Sequence, residues 1–112
     1  MALVPEQAAF LLDVCDLVRY ATSLGFVVTG GELQRPLEMQ AIYVKTGRSK
    51  TMNGQHLRRL AIDLNFFANG ELCYDKATLQ PIGDYWETRN PKNSWGGNWK
   101  SFKDMPHFER RA

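Results

Sequence analysis

Between Leu60 and Phe67 the chain alternates, with Leu60, Ile62, Leu64 and Phe66 on one face of an extended segment and Ala61, Asp63, Asn65 and Phe67 on the other. A period of two predicts a strand whose first face is core. Asp63 then lies in the middle of an apolar run, and burying an unpaired carboxylate costs several kcal/mol, so a partner is expected. His56, seven residues earlier where the chain enters the strand, is the nearest suitable group. The other histidine, His107, lies in the distal run Asp104-Met105-Pro106-His107-Phe108-Glu109.

The remaining pattern predicts helices and short strands around that segment. Pro5 suits a first helical turn, and Phe10, Leu11, Val14, Cys15, Leu17, Val18, Ala21 and Leu24 recur at helical spacing up to a C-capping Gly25. Phe26-Val27-Val28-Thr29 reads as a strand, and Gly30-Gly31 as a turn or a close backbone approach. Pro36 can open a second helix running to about Val44, and residues 46 to 55 form a polar loop that delivers His56. Asn69-Gly70 predicts a hairpin with Leu72-Cys73-Tyr74 returning. Leu79 to Tyr85 reads as a short helical or irregular connection to Trp86. Trp95-Gly96-Gly97-Asn98-Trp99 is either a turn with its tryptophans on the core or a backbone passing close to a ligand, and His107-Phe108-Glu109 is a final strand. These elements predict a small α+β fold. Its mainly antiparallel sheet carries the N-terminal and Pro36 helices on one face and Asp63 on the other.

With 112 residues, one domain spanning 1–112 is expected, and 44% hydrophobic residues suffice for a core that does not depend on disulfides. A net charge of +2, spread along the chain, lacks the concentrated basic footprint of a nucleic-acid binder. Lys45, Arg48, Lys50, Arg58 and Arg59 either form a solvated surface or favour an anionic one. Cys15 and Cys73 form no CxxC pair and read as reduced core thiols. No apolar run reaches about 18 residues, and acidic residues interrupt the N-terminal one, so neither a membrane span nor a secretory leader is expected. Soluble synthesis in the cytoplasm follows.

Two histidines and an aspartate are three candidate ligands, and zinc accepts both donor types. Catalytic zinc sites keep three protein ligands and an open position, whereas structural sites close with four and favour cysteine. His56, Asp63 and His107 match the open kind, and Asp104, three residues before His107, is the natural carboxylate to move a proton. Arg35, just ahead of the Pro36 helix, can reach across a cleft or simply lie at the surface. On spacing alone, the histidines and the aspartate can equally be unrelated hydrogen-bonding groups.

Gly54-Gln55-His56-Leu57-Arg58-Arg59-Leu60-Ala61-Ile62-Asp63, followed by Asp104-Met105-Pro106-His107, resembles peptidase family M15, whose pattern is Ser-x-His-x-x-Gly-x-Ala-x-Asp and then Glu or Asp-x-x-His. Arg35 with Gln40 resembles that family's Arg-x-x-x-x-Gln segment, Gly47-Arg48-Ser49 the loop after it, and Trp86 with Trp95-Gly96-Gly97 the C-terminal region of phage endolysins. The resemblance covers roughly residues 20 to 110. It implies that His56, Asp63 and His107 hold Zn2+, that Asp104 is the general base, and that Arg35 binds substrate or stabilises an oxyanion. Gln40, Ser49, Trp95, Gly96 and Gly97 would join Arg35 in contacting substrate. Gly54 stands in place of the serine and Arg59 in place of the glycine, the second substitution being tolerated in phage-type members. Asp104 is the shorter of the two acids found at the base position.

The implied activity is hydrolysis of peptidoglycan, as an endolysin cutting the L-alanyl-D-glutamate bond of stem peptides. Access from the cytoplasm would require a holin-like, membrane-permeabilising partner, and the lack of a wall-binding domain suits a thin Gram-negative wall. The alternatives are a D-Ala-D-Ala carboxypeptidase, which must read a free C-terminal carboxylate, and a non-catalytic, metal-retaining wall-binding module. A structural protein, with no metal and no response to chelation, is a further alternative.

Overall fold

The computed structural model describes residues 3–31 and 60–111. Its centre is β2 (Ala61–Ala68), flanked by β1 (Val27–Gly30) and β5 (His107–Arg110), with β4 (Asn93–Trp95) beyond β5 and the short β3 (Glu71–Leu72) on the far end of β2. Every pairing among the described residues is antiparallel. The hairpin from β2 to β3 turns on Asn69 (φ 55°) and Gly70 (φ 80°). Two consecutive positive φ angles are what a type I′ turn requires, which is why Asn-Gly stands there.

Among the described residues, two helices cover one face of this sheet. Helix α1 (Leu3–Ser23) buries Phe10, Val14, Leu17 and Ala21, a stripe narrower than the sequence pattern suggests. Leu11 and Leu24 are exposed, and so is Cys15, which is therefore not the core thiol expected. Gly25 ends the helix at φ 98°, with Gly25 N donating to Thr22 O and Phe26 N to Ala21 O. These two bonds form a Schellman motif and satisfy carbonyls that the helix leaves open.

Helix α2 (Lys76–Arg89) occupies the stretch expected to be a short connection. Asp75 caps it, accepting from Thr78 N at 3.0 Å and from Thr78 Oγ1 at 2.6 Å. Pro81 lies inside the helix, where it cannot donate to the carbonyl four residues back. The buried face of Leu79, Ile82, Gly83 and Trp86 outweighs that loss. The expected Pro36 helix lies outside the described residues, so the second helix seen on the sheet is α2.

The core lies between helices and sheet. Ile62, Leu64 and Phe66 from β2 meet Phe10, Leu17, Leu79, Ile82 and Trp86 there, as the alternation predicts. Phe108 sits among aromatics, its ring centroid 5.8 Å from Phe66, 5.9 Å from Trp86 and 6.4 Å from Trp95. Trp86 Nε1 donates to the Glu109 carbonyl at 3.1 Å, so its indole is buried with its polar atom satisfied. Arg110, only 2% exposed, donates to Asp13 Oδ2 at 2.6 Å and to Asn93 Oδ1 at 3.1 Å, tying the end of β5 to α1. Among the described residues no helix is long and apolar enough to cross a membrane.

Gly83 faces the Trp95 ring, and a Cβ there would collide with it. Alanine favours a helix over glycine by about 1 kcal/mol, but overpacking a core costs about 1–3 kcal/mol. Because the obstacle is a buried ring rather than a flexible chain end, Gly83→Ala is expected to lower stability in urea unfolding. An unchanged or raised midpoint would contradict this packing.

Candidate metal centre

The face of β2 opposite the core carries Asp63, and antiparallel pairing sets His107 directly across from it. Cross-strand partners share a face, so register alone brings the carboxylate and imidazole together. Asp63 Oδ1 lies 3.3 Å from His107 Nδ1. Ala61 pairs with Glu109 on the same face, and Glu109 Oε1 lies 2.7 Å from His107 Nε2. Arg111 Nε donates to Glu109 Oε2 at 2.8 Å. Gly31 closes one side: its N–H donates to the Asp63 carbonyl at 2.6 Å, and a side chain there would crowd the Asp63 Cβ. Of the two readings of Gly30-Gly31, the close approach is the one found.

Asp104 reaches the cluster through a turn. Its N–H donates to Gly96 O at 3.1 Å, while its own carbonyl accepts from His107 N at 3.1 Å. A Cβ on Gly96 would strike the Asp104 carbonyl, and one on Gly97 would strike the Trp95 ring. Trp95 itself is fully buried and donates from Nε1 to Met105 O at 2.8 Å. Trp95, Gly96 and Gly97 are all buried and hold the segment that carries Asp104 and His107. The motif forms a packed turn with Trp95 on the core.

One donor atom each from Asp63, Asp104 and His107 lies within 4.8 Å of the other two. These are oxygen and nitrogen donors that zinc takes. The 3.3 Å separation of Asp63 Oδ1 and His107 Nδ1 is at the long end for a hydrogen bond. It is close to the ~3.4 Å between two ligands that each sit about 2.05 Å from a tetrahedral ion. By donor type and spacing, the group fits a metal.

Electrostatics agree with that fit. Burial pushes the His107 imidazole down, but hydrogen bonds to Asp63 and Glu109 and their negative charges outweigh it and raise its pKa to about 9. Burial raises the Glu109 carboxyl, while hydrogen bonds and charge from His107 and Arg111 hold it below its usual value. In the metal-free protein a proton on His107 supplies positive charge among carboxylates.

His56, Arg35, Gln40 and Ser49, together with Lys45, Lys50 and the arginines near them, lie outside the described residues. Glu109 was given no role by sequence reasoning, although its place two residues after His107 on a strand, hence on the same face, was the available signal.

Residues 47–110 match a family profile described as D-alanyl-D-alanine carboxypeptidase, of the M15 peptidases. The L-alanyl-D-glutamate peptidase of Listeria phage A118 is 32% identical over 95 residues, which are 83% of this chain and 34% of that protein. The chain thus spans about a third of that relative's length. The crystal structure of the Serratia marcescens L-Ala D-Glu endopeptidase ChiX shares the fold, with a TM-score of 0.72 at 24% identity over 95% of this chain and 78% of that one. With more than half of its length matching the profile, and with the Asp63, Asp104 and His107 cluster in place, the chain belongs to the M15 peptidase family.

Proposed function

We propose that the chain is a zinc-dependent peptidoglycan peptidase that cuts the L-alanyl-D-glutamate bond of stem peptides. The observation that carries this reading is the convergence of Asp63, Asp104 and His107 on the face of the sheet away from the helices. The Listeria phage relative, named for that bond, supports the choice of substrate. The description of the matching profile favours a second reading, a D-Ala-D-Ala carboxypeptidase.

In this proposal Asp63 and His107, with His56 as third ligand, hold the zinc. When bound, zinc supplies Lewis acidity, polarising a carbonyl and lowering the pKa of water. Asp104 accepts the proton of the attacking water and returns it to the leaving amine. Its carboxylate is kept within reach because the Gly96 carbonyl holds its backbone on one side and the His107 N–H on the other. Arg35 binds substrate or the developing oxyanion, and Gln40 and Ser49 contact the stem peptide. As a phage-type endolysin, the protein would be made in the host cytoplasm and reach the wall with a holin-like partner.

Digestion of purified Gram-negative peptidoglycan, with fragments read by mass spectrometry, tests this reading. The expected result is chelator-sensitive loss of whole stem peptides that begin at D-glutamate. Release of single D-alanine would move the assignment to a carboxypeptidase, and no release from a zinc-loaded protein would leave a wall-binding module.

The two acidic roles separate by substitution. Asp104→Ala is expected to reduce turnover by about 10²–10⁴-fold while zinc content stays at wild-type level. His107→Ala is expected to lose both. Normal turnover in Asp104→Ala would remove it as the base, and loss of zinc from that variant would make it a ligand.

A further inference from the structure

Glu109 is buried, yet it faces the metal-binding cluster rather than the core. One of its oxygens lies 2.7 Å from His107 Nε2, and the same imidazole turns Nδ1 towards Asp63. A neutral imidazole has one protonated nitrogen and one bare lone pair, and only the bare nitrogen can bind a metal. An ionised carboxylate can only accept, so Glu109 keeps the proton on Nε2, and a metal shared with Asp63 would then take the place of the proton on Nδ1.

We propose that Glu109 is a positioning residue of this site, fixing the tautomer and the ring plane of His107 so that Nδ1 is presented as the ligand atom. The proposal rests on the reading of Asp63, Asp104 and His107 as part of a metal site, and it assigns an orienting carboxylate to that site.

The surroundings leave Glu109 little freedom. Arg111 Nε holds its second oxygen at 2.8 Å, which opposes rotation away from the imidazole. Phe108, between His107 and Glu109, is fully buried among Phe66, Trp86 and Trp95, so neither neighbour can turn off the site face without withdrawing that ring. Trp99 packs 5.1 Å from the His107 ring, and the Arg111 guanidinium lies 5.8 Å from the Trp99 ring. The imidazole is thereby held by a hydrogen bond at one end and by an aromatic neighbour.

Two readouts test this on the full chain. In nitrogen-15 NMR of the zinc-loaded wild type, His107 is expected to carry its proton on Nε2 with Nδ1 bound to metal. In competition with a chromophoric chelator, Glu109→Ala is expected to weaken zinc binding by about 10–100-fold. Glu109→Gln, whose amide oxygen can accept the same bond, is expected to stay near wild type. The proposal is overturned if Glu109→Ala binds zinc as tightly as wild type, or if Glu109→Gln is as weak as the alanine variant. A proton on Nδ1 with Nε2 bound to metal overturns it too, and needs no variant that folds. A wild type that binds no zinc fails the metal-site reading itself, which distinguishes the two failures.

Discussion

The register between β2 and β5 is the constraint on which the rest depends. Ile62 opposite Phe108 places two apolar side chains in the core, and the next pair, Asp63 opposite His107, then falls on the other face. A slip of one residue would reverse every side chain of a strand. It would expose Phe108, or Ile62, Leu64 and Phe66 together, where each such burial contributes about 1.5–3 kcal/mol. Against a total stability of about 5–15 kcal/mol for a domain, the larger loss is a large fraction of the whole. Hydrophobic burial thus sets the geometry of a polar site that contributes little stability of its own.

Charge imposes the second constraint. Asp63, Asp104 and Glu109 converge on a single imidazole, and carboxylates packed so closely repel one another unless positive charge lies between or beside them. The proton on His107 and the guanidinium of Arg111 answer this in the metal-free protein, and a divalent cation would answer it more fully. On the opposite face, Arg110 meets Asp13 and Asn93 and anchors the same strand to α1. Alternate residues of β5 therefore serve separate charge networks on the two sides of the sheet.

How much of this was legible in the sequence depended on whether a single local rule decided it. The alternation from Leu60 to Phe67, the Asn69-Gly70 turn and the Gly25 cap each follow from one rule, and each stands as read. That Asp63 needs a partner was legible from a carboxylate in an apolar strand. The nearest candidate, His56, lies outside the described residues, and the group found across from Asp63 is the distal His107, which only long-range strand pairing could assign. Helix α2 was obscured by Pro81 and Gly83, which read as breakers, although Leu79, Ile82 and Trp86 keep helical spacing. Tertiary burial decided in favour of the helix. Cys15 was misplaced because the α1 stripe is one residue wide at each turn, and two glycines beside a tryptophan serve equally for approach to a ligand or to the protein's own backbone, so their packing role was not legible.

The central claim is that strand pairing builds a metal site from Asp63 and His107. Anomalous diffraction at the zinc edge from crystals of the zinc-loaded protein tests it most directly. The account predicts a peak bonded to a carboxylate oxygen of Asp63 and to Nδ1 of His107, each about 2.0–2.2 Å away. Zinc bound elsewhere, with Asp63 and His107 still in direct contact, would contradict it.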